Sequence, residues 1–110
     1  MKNPDKKKRL VEVADHVLAL LVKDERTRDD DQLLCCMAWS QICAKKGVDV
    51  RTQTAYDFLI MYYRGELPLA DTITRARRKI QEEHPLMRGK KYNERQGKQQ
   101  QFVEQLRDLE

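Results

Sequence analysis

The most informative part of the chain runs from Thr52 to His84 and has the sequence TQTAYDFLIMYYRGELPLADTITRARRKIQEEH. Its first part predicts a short helix that Thr52 caps. Gly65 is expected to end this helix because glycine adopts the left-handed conformation without steric cost, and Pro68 cannot continue it. The positions of this helix that are expected to face the core are Ala55, Phe58, Leu59 and Tyr62.

The second part of the stretch predicts an amphipathic helix over residues 71–83, capped by Asp71 or Thr72. Ile73 and Ile80 recur at helical spacing and are expected to face the core, with Ala76 or the stem of Arg77 between them. A helix, a short turn and a second helix with a cationic outer face form the pattern of a helix-turn-helix. The residues expected on that outer face are Thr72, Thr74, Arg75, Arg78, Lys79 and Gln81.

Charge is distributed unevenly along the 110 residues, although the net charge is only +4. Residues 1–9 carry five Lys or Arg and one acid, and residues 68–98 carry nine bases and four acids. Residues 10–67, in contrast, carry ten acids and seven bases. Positive charge concentrated around one helix indicates an oriented electrostatic surface, and double-stranded DNA is the expected partner because its backbone is densely negative.

The composition fits one all-α domain of four or five helices, of helix-turn-helix or winged-helix-like form. Residues 1–8 are expected to be a disordered basic arm, and residues 9–91 the domain, with further helices over residues 9–23 and 32–46. A very short hairpin near residues 86–92 would form a wing. Residues 92–110 are predicted to be a C-terminal helix that packs on the body or pairs two copies. The apolar stripe for that contact consists of Phe102, Val103, Leu106 and Leu109.

The three cysteines and the length of the apolar runs indicate the cell compartment of the chain. Cys35, Cys36 and Cys43 lie in one apolar helix without a CxxC spacing, so all three are expected to be buried thiols in a reducing cytoplasm. No apolar run approaches the length of a membrane span, and we expect no membrane partner.

The apolar positions of the predicted helices indicate one shared core. The residues expected to be buried together are Leu34, Trp39, Ile42, Phe58, Leu59, Ile73 and Ile80.

Two groups of side chains are candidates for DNA contact. Thr74, Arg75 and Arg78 suit base edges, assisted by Thr72 or Gln81, because arginine can bind guanine with two hydrogen bonds. The cations expected on phosphates are Lys79, Arg88, Lys90, Lys91 and Arg95. The alternative is a solvated or protein-binding face, in which Arg78 pairs with Glu82 and Lys79 with Glu83.

Catalytic and metal-binding patterns do not emerge from the sequence. His16 and His84 have no cysteine or serine at a diagnostic spacing, and the four glycines are too scattered for a phosphate-binding loop. We therefore expect neither an enzyme nor a cofactor or metal site. His16 is expected at the boundary of the core.

Two segments resemble a group of small phage and prophage proteins of helix-turn-helix type. They are TRDDDQLL (residues 27–34), followed by Trp39, and DTITRARRKIQEEHPLMRG (residues 71–89), and the resemblance covers roughly residues 20–95. It implies a phage origin and a DNA-binding fold. Leu69 and Ala70 depart from the group, which tends to have a Ser or Thr cap and an acid after the proline.

These expectations combine into a phage-encoded DNA-binding protein in the cytoplasm of the bacterial host. It would act in transcription regulation or as a DNA-handling accessory, through the helix at residues 71–83. The alternative is a protein–protein interaction module that binds or inhibits a host or phage protein.

Overall fold

The computed structural model describes the backbone of residues 4–108 and the side chains of residues 8–95, 97 and 105–107. Over this part of the chain all regular secondary structure is helical, as predicted. The α-helices are α1 (Pro4–Lys23), α2 (Asp31–Lys45), α3 (Ala55–Tyr63), α4 (Ala70–Glu83) and α5 (Lys90–Asp108). Two short 3₁₀ helices, Glu25–Arg28 and Pro85–Met87, precede α2 and α5.

The prediction of a hairpin near residues 86–92 is wrong. Pro85–Met87 form the second 3₁₀ helix, and α5 begins directly afterwards at Lys90. Pro85 stops α4, because proline lacks the N–H that would continue the helix. The chain therefore turns into another helix at this point instead of forming a wing.

The first helix begins earlier than the sequence suggested. Residues 4–8, which were expected to belong to a disordered arm, form the first turns of α1, while residues 1–3 lie outside the described residues. Pro4 suits the first helical position because its N–H would have no partner there. Once the apolar residues of α1 fix the helix on the core, adding further turns requires no new nucleation.

Helices α1, α2 and α4 pack around the main core. Each of the three helices contributes fully buried residues to this core, and those of α1 are Val17, Leu20 and Leu21. Leu34 and Ala38 of α2 meet them from one side. Ile73 and Ile80 of α4 close the cluster from the other side, which confirms the predicted inner face of α4 at these two positions.

A second, smaller cluster lies between the C-terminal half of α2 and α3. Ile42, Cys43 and Leu67 are buried there, with Phe58 and Tyr62 of α3 packed against them. Trp39 borders both clusters. Its ring meets those of Phe58 and Tyr62 edge-on at centroid distances of 5.7 and 5.8 Å, and its Nε1 donates to the Pro68 carbonyl at 2.8 Å. The helices of the predicted helix-turn-helix thus occur in the expected order, but α4 packs on α1 and α2 while α3 packs on α2.

Several predicted burials are corrected by this arrangement, and Ala55, which was expected to face the core, is exposed. Ile42 and the half-buried Phe58 belong to the second cluster and do not share the main core. Leu59 is 62% exposed, because Phe58 and Tyr62 point toward α2 and successive helical residues turn by about 100°. Cys36 is exposed for the same reason, since its neighbour Cys35 occupies the buried face of α2.

The helix caps were predicted in part. Asp30 accepts from the Leu33 amide at 3.0 Å and caps α2. Thr54, not Thr52, caps α3, because the Thr52 hydroxyl instead donates to the Asp49 carbonyl in a preceding turn. Leu69 is the N-cap residue of α4 and makes no side-chain bond, so the predicted caps Asp71 and Thr72 are also wrong. Gly65 adopts a positive φ angle of 75° as expected, and Gly47 after α2 adopts one of 83°.

The C-terminal helix is confirmed as a helix, and its predicted contact is untested. Asp29 accepts from the backbone amide of Lys91 at 3.1 Å and so holds the first turn of α5. Leu106 is 48% exposed, whereas the side chains of Phe102 and Val103 and the whole of Leu109 lie outside the described residues. Among the described helices, none combines the length and the apolar character needed to cross a membrane.

Candidate nucleic-acid interface

Helix α4 is fixed from its inner side by a buried arginine. Arg77 is only 8% exposed, and its Nη1 donates to the carbonyl of Thr27 at 3.2 Å. Its Nη2 donates to the carboxylate of Asp31 at the start of α2. The sequence suggested a core position for the stem of Arg77, and the structure shows that the guanidinium is also enclosed. Arg77 therefore ties α4 to the 3₁₀ segment and to α2.

Gln81 lies one turn after Arg77 on the inner side of α4. The prediction that Gln81 contacts DNA is therefore wrong. Gln81 is 3% exposed, and its Nε2 donates to the carbonyls of Arg28 at 2.9 Å and Met87 at 3.2 Å. Residues four apart lie on one helical face, so Gln81 follows Ile73 and Arg77. The two carbonyls belong to the last residues of the 3₁₀ helices, where backbone acceptors need side-chain partners.

Arg88, predicted to bind phosphate, instead closes the end of α4. Its Nε donates to the Gln81 carbonyl at 2.6 Å, and its Nη2 donates to the Glu82 carbonyl at 3.3 Å. The guanidinium also lies 4.7 Å from the centre of the Tyr92 ring. A cation at a helix C-terminus is favoured by the helix dipole and satisfies carbonyls that lack amide partners. Arg88 is consequently a structural residue of the α4–α5 connection.

Three exposed cations lie on the outer side of α4, one within an ion pair and two outside any ion pair of the described side chains. The Nε of Arg75 pairs with the carboxylate of Asp71 at 2.9 Å, one turn away. Arg78 and Lys79 are exposed and form no ion pair with any described side chain, so the predicted pairs with Glu82 and Glu83 are not formed. Arg78 and Lys79 are therefore the cations of α4 that are free to meet a ligand.

The two predicted threonines lie beside this outer side and are half-buried. The hydroxyl of Thr74 donates to the Asp71 carbonyl at 3.1 Å, which occupies its proton. Its methyl group and its oxygen lone pairs remain available for contact. Thr74 also lines the cleft described next, and Thr72 does not.

A cleft of ≈ 700 Å³ lies between α4 and the first turns of α5. Arg78 from α4 and Lys91 and Arg95 from α5 line this cleft, so the structure brings together predicted residues that are up to 17 positions apart. Lys90 precedes Lys91 and is exposed at the start of the same helix. We call Arg78, Lys79, Lys90, Lys91 and Arg95 the basic face.

Four carboxylates also line the cleft, and two of them are already engaged. Asp29 accepts from the Lys91 amide, and Asp31 accepts from Arg77. Glu82 and Glu94 form no ion pair with a described side chain. The amide of Lys91 is uncharged, so Asp29 stays negative, and the four lining cations, Arg77 included, are balanced by four carboxylates. The positive excess of the basic face comes from Lys79 and Lys90, which are exposed beside the cleft.

Elsewhere, the ionisable groups serve the fold. Burial raises the pKa of the Cys35 and Cys43 thiols, so both remain protonated and unreactive near neutral pH. A hydrogen bond from Arg26 lowers the pKa of the Asp24 carboxyl. His16 lies at the core boundary as expected, with its Nδ1 3.3 Å from the Gln41 Oε1. Within the described part of the chain, no cluster of His, Cys, Asp or Glu could hold a metal ion.

No protein-family model, no curated protein and no solved structure matches this chain. The resemblance to small phage proteins accordingly stays a prediction. The evidence for the basic face is therefore the positions of its side chains alone. Ile73, Arg77 and Gln81 recur every four residues and form the inner side of α4, whereas Arg75, Arg78 and Lys79 lie on its outer side. This spacing is the signal in the sequence that could have placed Gln81 inside.

Proposed function

We propose that this chain binds double-stranded DNA through its basic face. The observation that carries this proposal is the cleft in which Arg78, Lys91 and Arg95 meet without an ion-pair partner among the described side chains. Cations that are not neutralised within the protein release counterions from DNA when they contact phosphates, and this release favours binding.

Helix α4 would provide the reading element. It has 14 residues and is therefore about 21 Å long, a length that suits an α-helix lying in the major groove. Arg77 and Gln81 hold it to the body from the inner side. A helix whose orientation is fixed before binding loses less conformational entropy on contact with DNA.

The cations of the basic face would have different roles in binding DNA. Arg78 is the best candidate for a base contact, because it projects from α4 and can donate two hydrogen bonds to a guanine edge. Lys91 and Arg95, across the cleft, would bind phosphates and set the position of α4. Arg75 would contribute less, since it must first leave the carboxylate of Asp71.

The biological setting of the proposal follows from the sequence resemblance. A phage-encoded regulator of transcription, or an accessory protein for handling phage DNA, would act in the cytoplasm of the bacterial host. A basic helix with an electrostatic, salt-sensitive mode of binding serves either role.

A protein-binding role is the second candidate, and the carboxylates of the cleft favour it. Glu82 and Glu94 lie among the cations, and Asp71 neutralises Arg75 on the neighbouring surface. Such mixed charge is repelled in part by DNA but can complement a protein surface that carries both signs. The partner would then be a host or phage protein that this chain binds or inhibits.

Fluorescence anisotropy with a labelled random-sequence duplex would separate the two functions. We expect binding at low salt, with a slope of log K against log salt concentration of about −3 if three phosphates are neutralised. A titration of the same protein with labelled polyglutamate provides the control for a general affinity for anions. Binding of polyglutamate as strong as that of the duplex, or no binding of the duplex at low salt, would contradict the DNA proposal.

A further inference from the structure

Helix α3 leaves an unusually apolar surface uncovered. Its sequence is AYDFLIMYY, in which every residue except Asp57 is apolar or aromatic, yet none of its nine residues is buried. Tyr56, Leu59 and Tyr63 are 71%, 62% and 88% exposed. These three residues are separated by three and four positions, so they lie on one side of the helix. We call them the α3 stripe.

A groove lies beside the α3 stripe, between α2 and α3. Its volume is ≈ 460 Å³, and the side chains that line it include Cys36, Trp39, Val50 and Phe58. Leu59 belongs both to the stripe and to the rim of this groove. A ridge and a groove that lie next to each other on one surface can be filled by the same surface of a second molecule related by two-fold symmetry.

The exposed area is in the range that a pair of molecules requires. With a full side-chain area of about 150–250 Å² each, the three side chains of the stripe expose roughly 450 Å² per chain. A symmetric contact doubles this value to roughly 900 Å², and the groove walls add to it, which reaches the range of about 1,000 Å² for specific interfaces. A patch of this size lies within the range of about 300–600 Å² for the largest apolar patch of a monomer, and such patches are often binding sites.

Charges at the border of the stripe are self-complementary. Asp57 and Arg64 are exposed and seven positions apart, so they lie on one side of α3, next to the stripe and away from the groove. When two helices pair antiparallel, equivalent flanks face each other. Asp57 of one copy then lies near the partner's Arg64, and the reciprocal contact forms at the other end.

We propose that the α3 stripe binds a second copy of this chain, with the two α3 helices antiparallel and Tyr56 packed against the partner's Tyr63. This contact differs from the pairing that the sequence predicted through α5, and it does not depend on DNA binding. Lys91 and Arg95 belong to α5 and the cleft beside α4, so the dimer would leave the basic face of each copy open.

The test is the mass of the full-length chain by sedimentation equilibrium over a concentration series. Leu59→Asp should weaken association at least about tenfold, because a carboxylate replaces an apolar contact in both copies. Val22→Asp is the matched control, since Val22 of α1 is 59% exposed and lies outside the stripe. Circular dichroism of both variants should show unchanged helix content, because neither position is buried.

Charge exchange tests the antiparallel arrangement itself. Asp57→Arg and Arg64→Asp should each weaken association, and the double variant should restore it because the exchanged charges again attract. A monomeric wild-type chain at all concentrations would overturn the proposal, and so would equal effects of Leu59→Asp and Val22→Asp. If the double variant fails to recover, the antiparallel contact is wrong. Loss of the dimer in Leu106→Asp but not in Leu59→Asp would assign the interface to α5 instead.

Discussion

Arg77 donates a hydrogen bond to the carbonyl oxygen of Thr27, 50 residues earlier in the chain, at 3.2 Å. Thr27 is fully buried, and its own hydroxyl donates to the Asp24 carbonyl at 2.6 Å and lies 3.2 Å from that of Leu20. The contact thereby connects α4 to the turn between α1 and α2. Because α4 also carries Arg78 on its outer side, the same contact sets the direction in which the basic face points.

Removing the Arg77 guanidinium should destabilise the fold. Arg77→Met keeps an apolar stem but leaves the Thr27 carbonyl without this donor, and we expect a loss of about 1–3 kcal/mol in the free energy of unfolding. The bond to Asp31 contributes less, because that carboxylate is 65% exposed and screened by water.

Arg78→Met is the matched control, because it makes the same chemical change at the next, exposed position. Its free energy of unfolding should stay within about 0.5 kcal/mol of the wild-type value in urea denaturation. Equal losses in the two variants would show that the Arg77 contact does not stabilise the fold.

Gln81 offers a second test of the inner side of α4. Gln81→Glu would direct a carboxylate at the carbonyls of Arg28 and Met87, where the wild-type amide donates two hydrogen bonds. We expect a loss of at least about 2 kcal/mol at neutral pH and a smaller loss in mild acid, where the new carboxyl group can carry a proton.

The same substitution at Gln32 provides the control, because this residue is exposed in the first turn of α2. Gln32→Glu should change stability by no more than about 0.5 kcal/mol. Thermal unfolding of the two variants at neutral and acidic pH makes the comparison. A Gln81→Glu protein as stable as Gln32→Glu would place the Gln81 side chain in water.

The two sides of α4 show which features the sequence could predict and which it could not. Apolar spacing was sufficient to predict the helix and the burial of Ile73 and Ile80, because that signal is local. The burial of Gln81 depends on two carbonyls supplied by segments that are distant in the sequence or lie beyond the end of the helix. The sequence therefore predicts such a polar residue on the outer side of the helix.

Helix α3 was predicted as an element, but its orientation was wrong at Leu59. Almost every position of α3 is apolar, so the sequence contains no polar side that would distinguish the inner face from the outer one. The contact of Phe58 and Tyr62 with Trp39 fixes the orientation, and this is a tertiary interaction. All five cations of the basic face are among the residues predicted from the sequence to be exposed, because an exposed cation needs no specific partner in the fold.

The three cysteines should differ in reactivity. Cys36 is exposed, whereas Cys35 and Cys43 are buried and their pKa values are raised. A thiol reagent in excess should therefore modify one residue rapidly, and peptide mapping should identify it as Cys36. The other two should react only at the rate of unfolding. Rapid modification of Cys43 in the native protein would mean that the second cluster is open.

Stability should decrease in alkali through the two buried thiols. The unfolded chain loses these protons as the pH rises through the ordinary thiol range, while the folded chain retains them, so rising pH favours unfolding. The Cys35→Ala/Cys43→Ala double variant should show a smaller decrease than the wild type. Urea denaturation at neutral and alkaline pH measures the difference. An identical decrease in both proteins would assign the alkaline loss to other groups.

The basic face is tested most directly by the salt dependence of DNA binding in three single variants. Lys91→Ala should weaken binding to a selected duplex and to its scrambled form equally, and should reduce the salt slope by about one unit. Arg78→Ala should cost about 1–3 kcal/mol on the selected duplex and less on the scrambled one. Lys45→Ala is the control, because Lys45 is exposed at the opposite end of α2 from Asp31, about 21 Å away along the helix. The proposal predicts that Lys45→Ala binds like the wild type, and a Lys91→Ala protein indistinguishable from Lys45→Ala would contradict it.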